Sequence, residues 1–313
     1  MKVSFLCNSF LALPSANFLF ENGHLAGLAS TQRNTLLCNE MSKFAQQTGL
    51  PFAQISSKTL EDDLKKWIAQ TSPDVVVVQT FPHLIPESCL EMPPMGFYNL
   101  HPSPLPAYRG PDPVFWQLHQ GETEGGVTLH KMSATFDTGP IFTISPISIS
   151  STDTYGIVQS NLSYAAVDAL QAFISCEDFE NQLTPQTCDS GHNQAKPEAT
   201  DLMIDWVNQS SEEIQSQIRA CNPNQNGAIT FFRDVLTRIL ETQAKSLDRI
   251  PKLPPGSIIA ADEERGLVVL CADEKALELN ILHVEEGYYS GRRFCEVFKT
   301  GLGEKFSNPS FLS

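Results

Sequence analysis

The chain has 313 residues and a mass of 34.6 kDa, and 41% of its residues are hydrophobic while 18% are charged. These values suit one large or two ordinary globular domains and exclude disordered or collagen-like chains. The formal net charge is -15. Because nucleic-acid and anionic-membrane affinity depend on clustered Lys and Arg, and no dense basic run is present, both partners are disfavoured.

The cysteines and the amino terminus indicate the compartment. Eight cysteines are scattered without a C-x-x-C pair or zinc-like spacing, so we expect reduced thiols and no metal site. The apolar run Val3 to Leu6 reaches polar Asn8 too soon for a signal peptide, and no apolar run approaches about 18 residues. We therefore expect a cytoplasmic protein without membrane contact. The sequence does not indicate its oligomeric state.

Short apolar runs alternate with amphipathic segments in the first half of the chain. The predicted strands are Val3 to Leu6, Leu25 to Ala29, Val75 to Val78, and about Gly96 to Asn99; the predicted helices include Met41 to Gln47 and Leu60 to Ile68. This alternation predicts a Rossmann-like, doubly wound α/β domain with a mostly parallel sheet, which binds ligands beyond the carboxyl ends of its strands. No G-x-G-x-x-G follows the first strand, so a dinucleotide is disfavoured.

The second half of the chain indicates a change of fold class. Asp153 to Cys176 has helical apolar spacing, and the polar segment that follows, Glu177 to Thr200, is interrupted by prolines. Ser210 and Glu213 have the spacing of a helix capping box. Strand-like runs then cover 257–260, 266–271 and 276–282. We predict a first domain at 1–180, a linker at 181–203, and a smaller, mainly β domain at 204–313, an OB-like barrel.

The residues best suited to chemistry follow the predicted strand that ends near Asn99. Asn99 and His101 are two apart, so they face the same side of a strand, and the prolines after them cannot continue a central strand. The pair is therefore expected at the ligand-binding edge of the sheet. Farther on, Asp137 precedes Gly139 in a loop. A structural hydrogen-bonding role for His101 and a turn role for Asp137 are the alternatives.

Three groups of motif residues resemble the folate-dependent formyltransferases. They are Asn99, His101, Ser103, Leu105, Pro106, Arg109 and Gly110; then Gly126, Val127 and Thr128; then Asp137, Thr138 and Gly139. The separation between His101 and Asp137 matches that of the family. Segments at 204–206, 219–223 and 255–259 resemble the second domain of the methionyl-tRNA formyltransferases. The resemblance thus covers nearly the whole chain.

The resemblance implies transfer of a formyl group from 10-formyltetrahydrofolate to a primary amine, without a metal. Asn99 and His101, the latter protonated, would donate hydrogen bonds to the oxyanion that develops on the formyl oxygen. Loss of one such donor typically slows a reaction by about a hundred- to a thousandfold. Asp137 would raise the affinity of the imidazole for its proton and help to relay the proton of the amine.

The resemblance also implies where the two substrates bind. Two loops would hold the pterin ring of the folate, largely through backbone groups, although core packing is an alternative for their apolar side chains. The implied folate-binding residues are Phe81, Leu84, Ile85, Pro86, Thr135 and Phe136. The candidate residues for binding the acceptor are Ser103, Arg109 and Asp112. The alternative for Arg109 is that it clamps the backbone, and the alternative for Asp112 is that it lies in a solvated turn.

A difference between this sequence and the tRNA-modifying members of the family indicates which acceptor is formylated. These insert a basic loop containing glycine and proline in the first third of the chain, whereas Ala29 to Glu40 here has one Arg, one Glu, and neither Gly nor Pro. We therefore favour a small amine, such as a nucleotide-linked amino sugar or an amino-acid-derived metabolite. Initiator methionyl-tRNA is the alternative acceptor and is disfavoured. Further alternatives are hydrolysis of formyltetrahydrofolate and a non-catalytic folate-binding protein.

Overall fold

The chain folds into two compact units. The computed structural model describes residues 1–187, 194–246, 249 and 251–308. The first unit comprises Met1–Pro113, Glu124–Ser148 and Gln159–Gln194, and the second comprises Val114–Thr123, Ile149–Val158 and Ala195–Ser313. The units are thus assembled from interleaved stretches of chain. The domain boundaries proposed from the sequence, which divide the chain without interleaving, stay a prediction.

The sheet of the first unit is mostly parallel. Its strands are β1 (Val3–Cys7), β2 (Leu25–Thr31), β3 (Phe52–Ile55), β4 (Val75–Gln79), β5 (Phe97–His101), β6 (Glu124–Lys131) and β7 (Ile141–Ser148). They lie in the order β3-β2-β1-β4-β5-β6-β7, with β1 to β5 parallel and with β6 and β7 antiparallel to their neighbours. The strand order reverses between β1 and β4, so the fold is doubly wound, as predicted.

Helices connect these strands. They are α1 (Leu13–Glu21), α2 (Thr35–Thr48), α3 (Leu60–Thr71), α4 (Glu87–Leu90), α5 (Pro113–His119), α6 (Tyr155–Ile174) and α7 (Phe179–Gln182). The Asn34 side chain accepts a hydrogen bond from the Leu37 amide at the start of α2, and Gly49 ends the helix in the left-handed region. The polar segment that begins at Glu177 contains α7, a short helix that was not predicted from the sequence.

The apolar run of β4 anchors the first core. Val76 and Val78 point to one face of the sheet, where they belong to a buried cluster that includes Leu6 and Trp67. Each valine from Val75 to Val78 is at most 2% exposed. Burying one such side chain contributes about 1.5–3 kcal/mol relative to an exposed one. This core, to which Phe97 also belongs, fixes β5, whose carboxyl end carries Asn99 and His101.

The second unit contains an antiparallel sheet that forms a half-barrel, in agreement with the predicted β domain. Its elements are α8 (Ser211–Cys221), β8 (Ala228–Phe232), β9 (Val235–Lys245), β10 (Ile258–Asp262), β11 (Gly266–Leu270), β12 (Ala276–Val284), β13 (Gly287–Ser290), α9 (Gly291–Phe298) and β14 (Phe306–Ser307). The predicted capping box is present: Glu213 N donates to Ser210 Oγ over 3.2 Å, and Ser210 N donates to Glu213 Oε2 over 2.7 Å.

Seven cysteines in the described ranges are free thiols, and Cys188 lies outside those ranges. Within the same ranges, we find no helix whose length and apolar character would let it cross a membrane.

Candidate active site

Asn99, His101 and Asp137 converge at the carboxyl end of β5. Asn99 is half-buried, and His101 is 4% exposed. His101 Nδ1 lies 3.4 Å from Asp137 Oδ1. The two β5 residues share a face of the sheet, and the edge they occupy is next to the reversal of strand order, where doubly wound folds bind their ligands. The structure therefore brings together the three residues that the sequence singled out for chemistry.

The second ring nitrogen of His101 is also engaged. His101 Nε2 lies 3.0 Å from the Tyr108 carbonyl oxygen, which can only accept, so this nitrogen carries a proton. Ser103 is fully buried, and its hydroxyl donates to the Ala107 carbonyl over 2.8 Å. These contacts hold the loop after β5 and fix the imidazole with Nδ1 towards Asp137. That Ser103 binds the acceptor stays a prediction.

Asp137 has a left-handed backbone conformation, with φ of 55°. Asp tolerates this region better than most residues because its short side chain bonds locally. Gly110 N donates to Asp137 Oδ2 over 3.1 Å, which leaves Oδ1 to face the imidazole. At Gly139, a Cβ would overlap the Lys131 carbonyl oxygen, so the loop closes tightly only with glycine there. The carboxylate is thus held in a fixed orientation.

Arg109 and Gln186 clamp the same loop. Both Arg109 Nε, at 3.1 Å, and Gln186 Nε2, at 3.0 Å, donate to the Asp137 carbonyl oxygen. Gln186 Nε2 lies 2.7 Å from the Gly139 carbonyl oxygen, and Arg109 Nη2 donates to Gln186 Oε1 over 2.5 Å. Arg109 is 7% exposed. Its guanidinium bonds to the backbone of Asp137 and to the side chain of Gln186, so it acts as a clamp in this structure. Gln186 was missed by sequence reasoning because it lies in a polar segment with no motif.

A second histidine, His130, borders the triad and was also missed. It lies directly opposite Asn99 in the antiparallel pairing of β5 and β6 and is 2% exposed. Its Nε2 is 3.3 Å from Asn99 Nδ2 and 3.8 Å from Asp137 Oδ1. Burial, reinforced by the charge of His101, lowers its pKa to about 4, although Asp137 opposes the shift. The family motifs at Gly126 to Thr128 and at Asp137 to Gly139 lie on either side of His130 and assign it no role.

A cavity of about 440 Å³ lies at the amino end of β5, and none of Asn99, His101 and Asp137 lines it. Phe97, the first residue of β5, lines the cavity, as do Ser133 and Ala134 at the start of the loop that carries Asp137. Leu90 and Met132 add apolar walls, and Lys131 and Glu87 add charge. A cavity of this size that combines apolar walls with polar groups is typical of a small-molecule site.

The predicted folate-binding residues flank this cavity in sequence but differ in environment. Ile85 is 1% exposed and belongs to the β4 core cluster, against which Phe81 also packs. Leu84 and Phe136, by contrast, are 40% and 57% exposed. Pro86 precedes α4, and the Thr135 carbonyl accepts a hydrogen bond from Ser133 Oγ. Core packing thus describes Ile85, while Leu84 and Phe136 present exposed apolar surface. That these six residues bind folate stays a prediction.

Asp112 is half-buried in the loop ahead of α5, and its role at the site stays a prediction. Among the described residues, we find no cluster of three or more His, Cys, Asp or Glu side chains arranged to hold a metal ion.

Comparison with known proteins finds the same architecture in one enzyme family. The family described as formyl transferase matches residues 28–174, and its C-terminal domain matches residues 196–295. The methionyl-tRNA formyltransferase of Thiobacillus denitrificans is 30% identical over 311 residues, which cover 96% of each chain. That of Dictyoglomus turgidum is 28% identical over 274 residues, which cover 87% of each chain.

Solved structures share the fold at lower identity. HypX from Aquifex aeolicus, in complex with tetrahydrofolic acid, has a TM-score of 0.64 and 17% identity over 97% of this chain, which spans about half of HypX (48%). An N-formyltransferase from Helicobacter canadensis, in complex with folinic acid and dTDP-3-aminofucose, has a TM-score of 0.63 and 16% identity, covering 92% of this chain and 100% of that one. The chain belongs to the formyltransferase family and is a folate-dependent N-formyltransferase, whose substrates are a formyltetrahydrofolate-type donor and an amine.

Proposed function

We propose that this enzyme transfers the formyl group of 10-formyltetrahydrofolate to the primary amine of a small molecule, with Asn99, His101 and Asp137 as its catalytic residues. The observation that carries the chemistry is the convergence of these three side chains at the carboxyl end of β5. An amide donor, an imidazole and a carboxylate are the groups that acyl transfer to nitrogen requires.

The cavity is the proposed site of the pterin ring. Leu90, Phe97 and Met132 provide apolar walls for a flat ring, and the loop that carries Asp137 begins at the cavity rim, at Ser133 and Ala134. The exposed side chains of Leu84 and Phe136 would cover the remainder of the folate.

The proposed reaction uses a neutral amine. Its nitrogen attacks the formyl carbon, the bond from that carbon to N10 of the folate breaks, and the proton lost by the amine is returned to N10. Asn99, which is partly exposed, donates to the oxyanion on the formyl oxygen, and protonated His101 adds positive charge beside it. Asp137, 3.4 Å from His101 Nδ1, stabilises the imidazolium and accepts the amine proton directly or through water.

The acceptor class rests on the connection between β2 and α2. This connection is a turn of three residues, Gln32 to Asn34, in which Thr31 Oγ1 accepts from the Arg33 amide and Asn34 caps the helix. It contains one cationic side chain, so it offers little positive charge to the phosphates of a tRNA acceptor stem. Together with the net charge of -15, this turn supports a small amine.

Initiator methionyl-tRNA is the second candidate acceptor. It is favoured by the 30% identity over nearly the full length to an enzyme with that name, and by the match of the C-terminal domain. Tight, salt-sensitive binding of initiator tRNA would favour this candidate over a small amine.

The test is to incubate the purified full chain with 10-formyltetrahydrofolate and a mixed pool of amines. The pool contains nucleotide amino sugars, amino-acid-derived amines and initiator methionyl-tRNA, and mass spectrometry identifies the product. A formylated small amine is expected, together with an equal amount of tetrahydrofolate. Formylated methionyl-tRNA would overturn the acceptor class, and steady release of formate without any amine would instead identify a hydrolase.

A further inference from the structure

His130 faces Asn99 across β5 and β6 and contacts two groups whose hydrogen-bonding character is known. Its Nδ1 lies 3.1 Å from the carbonyl oxygen of Lys131, and its Nε2 lies 3.3 Å from Asn99 Nδ2. A carbonyl oxygen can only accept a hydrogen bond, so Nδ1 must carry a proton. The position of this proton decides whether Nε2 donates or accepts a hydrogen bond.

In a neutral imidazole with its proton on Nδ1, Nε2 is an acceptor. It then accepts a hydrogen bond from the amide nitrogen of Asn99. Were the amide rotated by 180°, the Asn99 oxygen would face the Nε2 lone pair, and two acceptors would oppose each other inside the protein. The imidazole therefore selects one of the two amide orientations, although the heavy-atom shape of the amide permits both.

The alternative partner of Nε2 is Asp137. The distance from His130 Nε2 to Asp137 Oδ1 is 3.8 Å, longer than a hydrogen bond, and Asp137 Oδ1 is closer to His101 Nδ1 at 3.4 Å. The charged groups facing His130 are His101, Asp137 and Arg109, and two of these three disfavour a second proton on its ring. Burial disfavours it most.

We infer that His130 is a positioning residue: a neutral imidazole with its proton on Nδ1, which accepts a hydrogen bond from Asn99 and thereby aims the amide donor of Asn99 at the substrate. This inference rests on the proposed function insofar as Asn99 is taken to donate to the formyl oxygen. With Nδ2 held by His130, the second N–H of that nitrogen is directed away from the imidazole. An Asn99 free to rotate would present its oxygen to the oxyanion in part of the molecules, which is repulsive.

The first test reads the tautomer of His130 without any turnover. Long-range ¹H–¹⁵N correlation spectra of the full chain, labelled at histidine nitrogen, distinguish protonated from unprotonated ring nitrogens, and the His130→Gln variant identifies the His130 signals by their loss. We expect a neutral ring with the proton on Nδ1 throughout pH 6 to 8. A proton on Nε2, or a doubly protonated ring, would overturn the inference even if formyl transfer is confirmed.

The second test compares two variants at this position in the formyl-transfer assay. His130→Gln keeps an acceptor within reach of Asn99 Nδ2, whereas His130→Leu fills the space without one. We expect His130→Leu to lower kcat by about tenfold or more, with KM for the folate changed by less than about threefold, because the lost interaction acts in the transition state. His130→Gln should recover most of kcat, and His24→Gln, directly ahead of β2, serves as a control for histidine replacement.

The outcomes separate this inference from the proposed function. Equal loss of kcat in His130→Gln and His130→Leu, with unchanged melting temperatures, would overturn the positioning role. An unaffected His130→Leu enzyme would overturn it as well. If the wild-type enzyme formylates no amine, the proposed function fails while the tautomer measurement still decides how His130 and Asn99 are bonded.

Discussion

The two oxygens of the Asp137 carboxylate have different partners. Oδ2 accepts from the Gly110 amide, and Oδ1 faces His101. An asparagine at this position would keep an oxygen for Gly110 while removing the negative charge beside the imidazole. We therefore expect Asp137→Asn to fold almost normally yet to lose at least about a hundredfold in kcat, since proton transfer by a positioned group contributes that much or more.

Steady-state kinetics and thermal unfolding check this expectation together. Asp168→Asn, which removes an exposed carboxylate from α6, is the matched control and should behave as wild type in both measurements. Turnover of Asp137→Asn close to that of the control would show that the carboxylate does not take part in the reaction.

The low pKa of His130 gives the fold a pH dependence. In the unfolded chain this histidine takes up a proton near pH 6.5, whereas in the folded protein it does so near pH 4. Its stabilising contribution is therefore complete above pH 6.5 and is lost as the pH falls from 6.5 to 4, where the unfolded state alone binds the proton. For this group, we expect the free energy of unfolding to drop by about 2 kcal/mol between pH 7 and pH 5.

Urea denaturation at the two pH values measures this drop. The same measurement on His130→Gln isolates the contribution of the imidazole, because other titrating groups remain in the variant. If wild type and variant lose equal stability between pH 7 and pH 5, His130 titrates normally in the folded protein.

Among the loops, the one that carries Asp137 depends on a residue distant in the chain. Gln186 donates to the carbonyl oxygens of Asp137 and Gly139 and accepts from Arg109. Gln186→Ala removes these bonds, so the loop loses part of its support, while the side chains proposed as catalytic are unchanged. We expect kcat/KM to fall by about tenfold, which corresponds to about 1.4 kcal/mol, the size of one or two such hydrogen bonds. Formyl-transfer kinetics check this value against Gln47→Ala, an exposed glutamine on α2.

Elements with a strong local pattern were predictable from the sequence. The valine run of β4 and the capping box of α8 are as expected, because one depends on burial of adjacent residues and the other on side chains three apart. The long strand β9 was not predicted, since its exposed face is rich in charged and polar residues and only its pairing partners make it a strand. Long-range pairing is not visible in a local pattern.

The same difference between local patterns and long-range contacts applies to the residues of the site. Asn99, His101 and Asp137 were found from motifs, and the structure brings them together. Gln186 and His130 were not found, because a lone glutamine 77 positions from Arg109 and a lone histidine within a strand carry no local signal. Their partners are defined by the tertiary fold, and only the folded chain reveals them.

At the scale of the whole molecule, the two units interleave along the chain. The stretch Ile149–Val158 links β7 to α6 and includes the first residues of α6, yet it packs in the unit that contains the C-terminal half-barrel. Arg219 Nη1 donates to the carbonyl oxygens of Ser150 and Asp153, and Gly156 N donates to the Asn222 carbonyl oxygen. A chain that ends before residue 204 therefore lacks Arg219 and Asn222. The carbonyl groups of Ser150 and Asp153 then lose their guanidinium donor, and the Gly156 amide loses its acceptor.

We expect a fragment of residues 1–203 to melt about 2–8 °C below the full chain, because a loss of about one to two kcal/mol shifts the midpoint by that much in a protein of about 150–250 residues. Differential scanning fluorimetry of both proteins measures the shift. Co-expression of residues 204–313 should restore part of it, since the separate piece supplies Arg219 and Asn222 again. A fragment that melts with the full chain would mean that residues 1–203 fold independently of residues 204–313, as the domain boundaries predicted from the sequence imply.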